Sequence, residues 1–122
     1  MSPRTQIAKI QISDLKLRTI IGTNDWERTT RQEIVINIEL EHNAAKAIAN
    51  DDLKETVDYR SLTKRIIKEV EGSHFLLLEK LTDFVLKIVM ENPRVKNATV
   101  RIEKPHALRF ARTVSVELNA KR

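Results

Sequence analysis

The sequence predicts an α+β fold, a four-stranded antiparallel sheet with two helices on one of its faces. Three observations carry this. Apolar and polar residues alternate with a period of two near both ends of the chain, the middle switches to a helical period, and the segments follow the order two strands, two helices, two strands.

Taken in order, Ala8, Ile10 and Ile12 share one parity and Leu15, Leu17 and Ile21 another, with a shift near Ser13-Asp14. That pattern predicts one long strand with a bulge, or two short ones. Ile34, Ile36, Ile38 and Leu40 alternate with Val35, Asn37 and Glu39, which marks a strand with one buried face. The segment from Ala44 to Ala49 allows a short helix. Leu62, Ile66, Ile67 and Val70 then fall on one helical face that Asp58 can cap and that ends near Gly72. Leu77, Leu81, Val85, Ile88 and Val89 make a second amphipathic helix, stopped by Asn92-Pro93. Two half-buried strands follow, with Ala98, Val100 and Ile102 on one face of the first and Val114, Val116 and Leu118 on one face of the second. No internal repeat, low-complexity tract or linker interrupts residues 1–122, so a single domain is expected.

Composition narrows the function classes. The 122 residues are 41% hydrophobic and 32% charged, as suits a folded globular unit. There is no cysteine, and residues 1–4 lead into mixed polar sequence rather than an apolar signal core, so neither thiolate chemistry nor export is expected and the chain reads as cytoplasmic. Apolar stretches are broken by charges well short of the roughly 18 residues that span a bilayer, which excludes an integral membrane role. The net charge of +5 favours anionic partners. Only five aromatics are present and the basic residues are spread along the chain, so a phosphorylated small molecule fits better than nucleic acid. A small sheet with two open edges and little depth for an enclosed pocket points to a homo-oligomer.

Familiar catalytic signatures are absent. Gly22 and Gly72 stand far apart, so no glycine loop cradles a phosphate, and His42, His74 and His106 lack metal-ligand spacing. What remains are isolated polar residues set against the local pattern. Glu79 opens the second helix, where a carboxylate gains from the helix dipole by default but also suits the flat amino-amide edge of a heterocycle. Lys104 continues the parity of Ala98, Val100 and Ile102, so its side chain leaves the strand on the core side. Such a lysine usually marks a strand end and snorkels to water; partly desolvated, it becomes a general acid-base. Tyr59, the only tyrosine, either packs at a helix start or stacks on a ring and passes a proton. Glu27 reads by default as a solvated loop charge.

Together these positions resemble the dihydroneopterin aldolase and epimerase family over nearly the whole chain. The landmarks are Ile21-Gly22, Glu27 and Gln32; Val57-Asp58-Tyr59; Val70-Glu71-Gly72; Leu77-Leu78-Glu79-Lys80-Leu81; and Val100-Arg101-Ile102-Glu103-Lys104-Pro105. The resemblance implies a tunnelling fold of order ββααββ whose sheets join edge to edge into a four-subunit barrel, commonly stacked into an octamer, with active sites between subunits. It implies a reduced pterin as substrate, either 7,8-dihydroneopterin or its triphosphate. Glu79 would hold the pterin amino group and ring NH beside the Leu78 backbone. Tyr59 of the adjoining subunit would cover the ring and assist proton transfer, with Val57 and Asp58 lining that edge. Lys104 would take the proton of the 2′-hydroxyl through a water, and Glu27 would orient the water or the hydroxyls. No cofactor or metal is implied, because the pterin ring itself serves as the electron sink.

Within the family, Leu17-Arg18-Thr19, Tyr59-Arg60-Ser61-Leu62-Thr63-Lys64 and Lys104-Pro105-His106-Ala107-Leu108-Arg109-Phe110-Ala111 resemble the bacterial triphosphate 2′-epimerase branch, whereas Asp25-Trp26-Glu27 resembles some aldolases. A triphosphate gives Arg109, Lys64 and Arg31 a purpose as phosphate contacts. The competing reading is a non-catalytic basic binding module, which predicts that basic residues cluster on one sheet face and that Glu79 and Lys104 are dispensable.

Overall fold

The computed structural model describes residues 5–122. Residues 1–4, on which the expectation of a missing signal core partly rests, lie outside the described residues. Strands β1 (Ile7–Ile21) and β2 (Gln32–Asn43) open the chain, followed by the short helix α1 (Ala45–Asn50) and by helix α2 (Tyr59–Glu71). Strand β3 (His74–Phe75), helix α3 (Leu78–Met90) and strands β4 (Val95–Pro105) and β5 (Thr113–Lys121) complete it. The sheet order is β3-β1-β2-β4-β5, with β1, β2, β4 and β5 antiparallel. The four predicted strands and two long helices are therefore present, and so is the short helix after β2.

The fifth strand was not expected. It has two residues, pairs parallel to the end of β1 through Ile20 and Ile21, and is too short to show any period. The parity switch in β1 is one bulge: Ile12 pairs Ile38 and Leu15 pairs Ile36, so β1 carries one extra residue. Asp14 takes up that residue at φ +56°, and its N–H donates to Asn37 Oδ1 at 3.0 Å. The bulge returns Leu17, Thr19 and Ile21 to the core side.

One layer of core lies between the sheet and both long helices. Ile34, Ile36, Ile38 and Leu40 of β2 and Val100 and Ile102 of β4 are buried against Ile66 and Val70 of α2 and Leu81, Val85 and Val89 of α3. Each such side chain contributes about 1.5–3 kcal/mol of burial. Asp58 caps α2 as expected, accepting from the Ser61 N–H at 3.1 Å and the Ser61 hydroxyl at 2.8 Å. Helix α3 begins at Leu78, one residue later than its apolar pattern starts; Leu77 is its extended and exposed N-cap. No helix among the described residues is long and apolar enough to cross a membrane.

This topology gives the molecule two distinct ends. The β1–β2 turn, the close of α2, β3, the start of α3 and the β4–β5 hairpin gather at one. The start of α2, α1 and the close of α3 gather at the other.

Candidate active site

The first end carries a buried ion pair. Lys104 Nζ lies 2.5 Å from Glu27 Oε2, with the lysine side chain 14% exposed and Glu27 4% exposed. Strand parity delivers Lys104, as predicted, from the core side of β4. There its ammonium meets the Glu27 carboxylate. Glu27 is not the solvated loop charge of the default reading. It sits in a single 3-10 turn, Asp25–Arg28, that folds back against the sheet.

Three further features seat that carboxylate. Gln32 Nε2, at the first residue of β2, donates to Glu27 Oε2 at 3.0 Å and to the Ile21 carbonyl at 2.6 Å. The Asn24 N–H donates to Glu27 Oε1 at 3.1 Å. Gly22 supplies the space: a Cβ built there would fall inside the Glu27 carboxylate, and its φ of +128° belongs to glycine. Burial alone would raise the Glu27 carboxyl, but the hydrogen bonds from Lys104, Gln32 and the Asn24 N–H, with the Lys104 charge, outweigh it and hold the group down at about 2. Glu27 is thus a fixed carboxylate at neutral pH.

Helix α3 begins at the same end of the subunit, just after Phe75, whose carbonyl accepts from the Gly22 N–H and from Arg28. Leu77 is apolar and provides no side-chain cap, so the N–H groups of Leu78 and Glu79 are open among the described residues. The exposed Glu79 carboxylate forms no side-chain hydrogen bond or ion pair among the described residues. Free acceptors and free N–H donors therefore stand side by side, a match for a flat ring edge that both donates and accepts.

Val57, Asp58 and Tyr59 are not at this end. They line, with Ile10, Leu53 and Arg60, a separate cavity of about 300 Å³ at the start of α2. Tyr59 is 58% exposed, Val57 is fully buried, and the Asp58 carboxylate is committed to the α2 cap, whose Ser61 hydrogen bonds lower its pKa. Helix α2 alone separates Tyr59 from Gly72 by roughly 20 Å.

Of the basic candidates, Arg109 lies in the exposed β4–β5 hairpin, its guanidinium 5.4 Å from the centre of the Phe110 ring. It pairs with no carboxylate among the described residues. Arg31 is instead tied to the Glu71 carbonyl at 2.7 Å, and Lys64 lies in the first half of α2, away from Lys104. His42 is buried on the core side at the close of β2, and burial lowers its pKa. His74 and His106 are exposed, and among the described residues no three His, Cys, Asp or Glu side chains cluster. Sequence reasoning passed over Arg28, which donates to the carbonyls of Gly22 and Phe75 at 2.9 and 3.0 Å and of His74 at 2.5 Å. A polar loop of several charges gave no signal that one of them would be turned inward.

A buried Lys–Glu pair at the same end of an α+β domain as an unpaired carboxylate and open helix N–H groups is an arrangement of the kind found in enzyme sites. The family model for dihydroneopterin aldolase (FolB) matches residues 10–119, and the chain belongs to that family. It is 45% identical over 112 residues to a dihydroneopterin triphosphate 2′-epimerase of Pseudomonas aeruginosa, covering 92% of this chain and 91% of that one. It is 46% identical over 115 residues to a dihydroneopterin triphosphate 2′-epimerase of Escherichia coli K12, covering 94% and 96%. The crystal structure of Escherichia coli dihydroneopterin aldolase in complex with neopterin superposes with a TM-score of 0.87 at 27% identity, covering 93% of this chain and 98% of that one.

Proposed function

We propose that the protein is a dihydroneopterin triphosphate 2′-epimerase, a cytoplasmic enzyme that inverts C2′ of the reduced pterin side chain to give the dihydromonapterin form. The observation that carries this is the Lys104–Glu27 pair beside the unpaired Glu79 and the open Leu78 N–H. Glu79 accepts from the pterin amino group and ring NH, while the Leu78 backbone donates to the ring carbonyl. Lys104 supports protonation of the ring nitrogen as the C1′–C2′ bond breaks and its electrons enter the pterin ring. Through a water, Lys104 takes the 2′-hydroxyl proton in place of the one it gave up, with Glu27 holding the ammonium and the water. That leaves an enol on the pterin and a bound aldehyde. Rotation of the aldehyde and re-addition inverts C2′; protonation of the enol instead releases 6-hydroxymethyl-dihydropterin and glycolaldehyde. The ring stores the electrons between the two steps, so no cofactor takes part.

The site is completed by a second subunit. The roughly 20 Å length of α2 keeps Tyr59 away from Lys104 within one chain, which supports an arrangement in which Tyr59, Val57 and Asp58 of an adjoining copy cover the ring. A homo-oligomeric barrel of four subunits, or two stacked barrels, meets that need through the open edges at β1 and β5. Arg109, exposed in the β4–β5 hairpin that follows Lys104, is the cation suited to the triphosphate.

The epimerase reading is favoured over the aldolase by 45–46% identity to relatives of the first name, against 30% over 105 residues to the Escherichia coli dihydroneopterin aldolase. The aldolase reading draws on Asp25-Trp26-Glu27 in the turn and on the family match. Chromatography of products from 7,8-dihydroneopterin and, separately, from its triphosphate decides between them. Dominant 2′-epimer from the triphosphate supports the proposal. Dominant 6-hydroxymethyl-dihydropterin from the free neopterin makes the protein an aldolase with the same site, and no turnover of either sinks the enzymatic reading.

A further inference from the structure

Arg28 closes the 3-10 turn that carries Glu27, and its guanidinium is half-buried between two segments of backbone. One Nη1 donates to the Gly22 carbonyl at 2.9 Å and to the Phe75 carbonyl at 3.0 Å; Nη2 donates to the His74 carbonyl at 2.5 Å. Gly22 begins the loop that delivers Glu27. His74 and Phe75 form β3, which leads directly into Leu78 and Glu79. Among the described residues, the one other backbone–backbone tie across this seam outside the two-residue β1–β3 ladder is the Gly22 N–H to the Phe75 carbonyl, at 3.3 Å.

We infer that Arg28 is a positioning residue, a clamp that sets the placement of the Lys104–Glu27 pair relative to the Glu79–Leu78 ring anchor. The inference rests on the proposed reaction, since it concerns the two halves of that site. The proton-handling half and the ring-holding half come from different segments, and among the described residues neither Glu27 nor Lys104 touches α3 through a hydrogen bond. A ring held by Glu79 brings its side chain over Lys104 only if the turn and β3 keep a fixed separation. The planar guanidinium suits this task because one fork reaches three carbonyls together, whereas a lysine ammonium carries the same charge without that span. A shift of about 1 Å in such an arrangement lowers turnover by about 10²-fold.

The test compares Arg28→Met and Arg28→Lys with the unaltered protein. Steady-state kinetics on dihydroneopterin triphosphate are read alongside a 13C titration of the Glu27 carboxyl in each assembled oligomer. Arg28→Met is expected to lower kcat by about 30- to 100-fold while KM changes by less than about 3-fold, with Arg28→Lys recovering under about a tenth of the loss. Its Glu27 midpoint is expected to rise by about one unit, as a loosened turn weakens the bonds from Lys104 and Gln32. A Glu27 titration unmoved in both variants, with kcat falling only in step with the folded fraction, would overturn the clamp. Should the unaltered protein turn over neither pterin, the proposed reaction fails, and the Glu27 titration still decides whether Arg28 holds the turn.

Discussion

The two ends of the subunit handle polarity in opposite ways. At the Lys104 end, charges are buried, paired and hydrogen-bonded into one geometry: Glu27 alone accepts from Lys104, Gln32 and the Asn24 N–H, in a slot opened by Gly22. At the Tyr59 end, an aromatic ring stands open to solvent over a shallow cavity, and the neighbouring Asp58 serves the helix cap. The first end is buried and paired; the second is exposed and, on the proposed reading, supplies Tyr59 to a neighbouring copy. A single chain keeps the two apart, and the proposed reaction brings them together only across two copies.

The largest effect should follow from disabling the first end. Lys104→Met is expected to lower kcat by about 10³, the scale of a lost acid-base group, in an oligomer that still assembles by gel filtration. Retention of more than a tenth of the activity would remove Lys104 from the chemistry. Mixing then tests the division between ends. Lys104→Met and Tyr59→Ala subunits, each impaired alone, should regain activity when unfolded and refolded together, because some interfaces then pair an intact Lys104 with an intact Tyr59. With equal mixing about a quarter of the interfaces are fully intact, which sets the recovery expected against the unaltered protein. No recovery in properly assembled mixtures would place both residues in one chain's site.

Much of this contrast was legible in the sequence, and what was not has identifiable causes. Parity placed Lys104 on the core side of β4, and the apolar shift at Ser13-Asp14 marked the bulge that the extra residue in β1 forms. Asp58 ahead of an amphipathic run announced the cap. Glu27 was harder, because its burial depends on a contact across the fold: strand pairing brings Lys104 to it, and the missing Cβ of Gly22 makes room. Arg28 was invisible for the same reason, since its three acceptors are backbone carbonyls, which every residue possesses. Strand β3 failed on length, and its parallel pairing follows from the path between α2 and α3. The site is thus readable where it depends on local period and hidden where it depends on register between distant strands.

Acid should affect the two ends unequally. Glu27 falls from 4.5 to about 2 in the folded state, so it contributes stability that is fully present above about 4.5 and is lost as the pH falls through about 2. A difference of about 2.5 units corresponds to about 3 kcal/mol at most. Asp58 is also lowered, by its Ser61 bonds, but it lies exposed to screening solvent at the other end. Urea midpoints measured between pH 6 and 2 should therefore fall steeply for the unaltered protein and distinctly less for Glu27→Gln. Equal slopes would mean that the buried pair does not set the acid response.

The smallest effect should come from Glu79, and it divides the first end within itself. Glu27 and Glu79 are both carboxylates near Lys104's end of the sheet, but one is fully partnered within the chain and the other has no partner there. On the proposed reading, the partnered carboxylate supports structure and proton transfer, and the unpartnered one beside open N–H groups takes the ring. Glu79→Gln keeps one acceptor and loses the charge and one hydrogen bond to the ring, so KM should rise by about 10-fold with kcat changed by less than about 3-fold. Its melting temperature should stay within about 1–2 °C of the unaltered protein, because no contact inside the subunit is removed. If kcat falls as far as in Lys104→Met while KM is unchanged, Glu79 acts in the proton transfer, and the division between ring anchor and proton relay at this end does not hold.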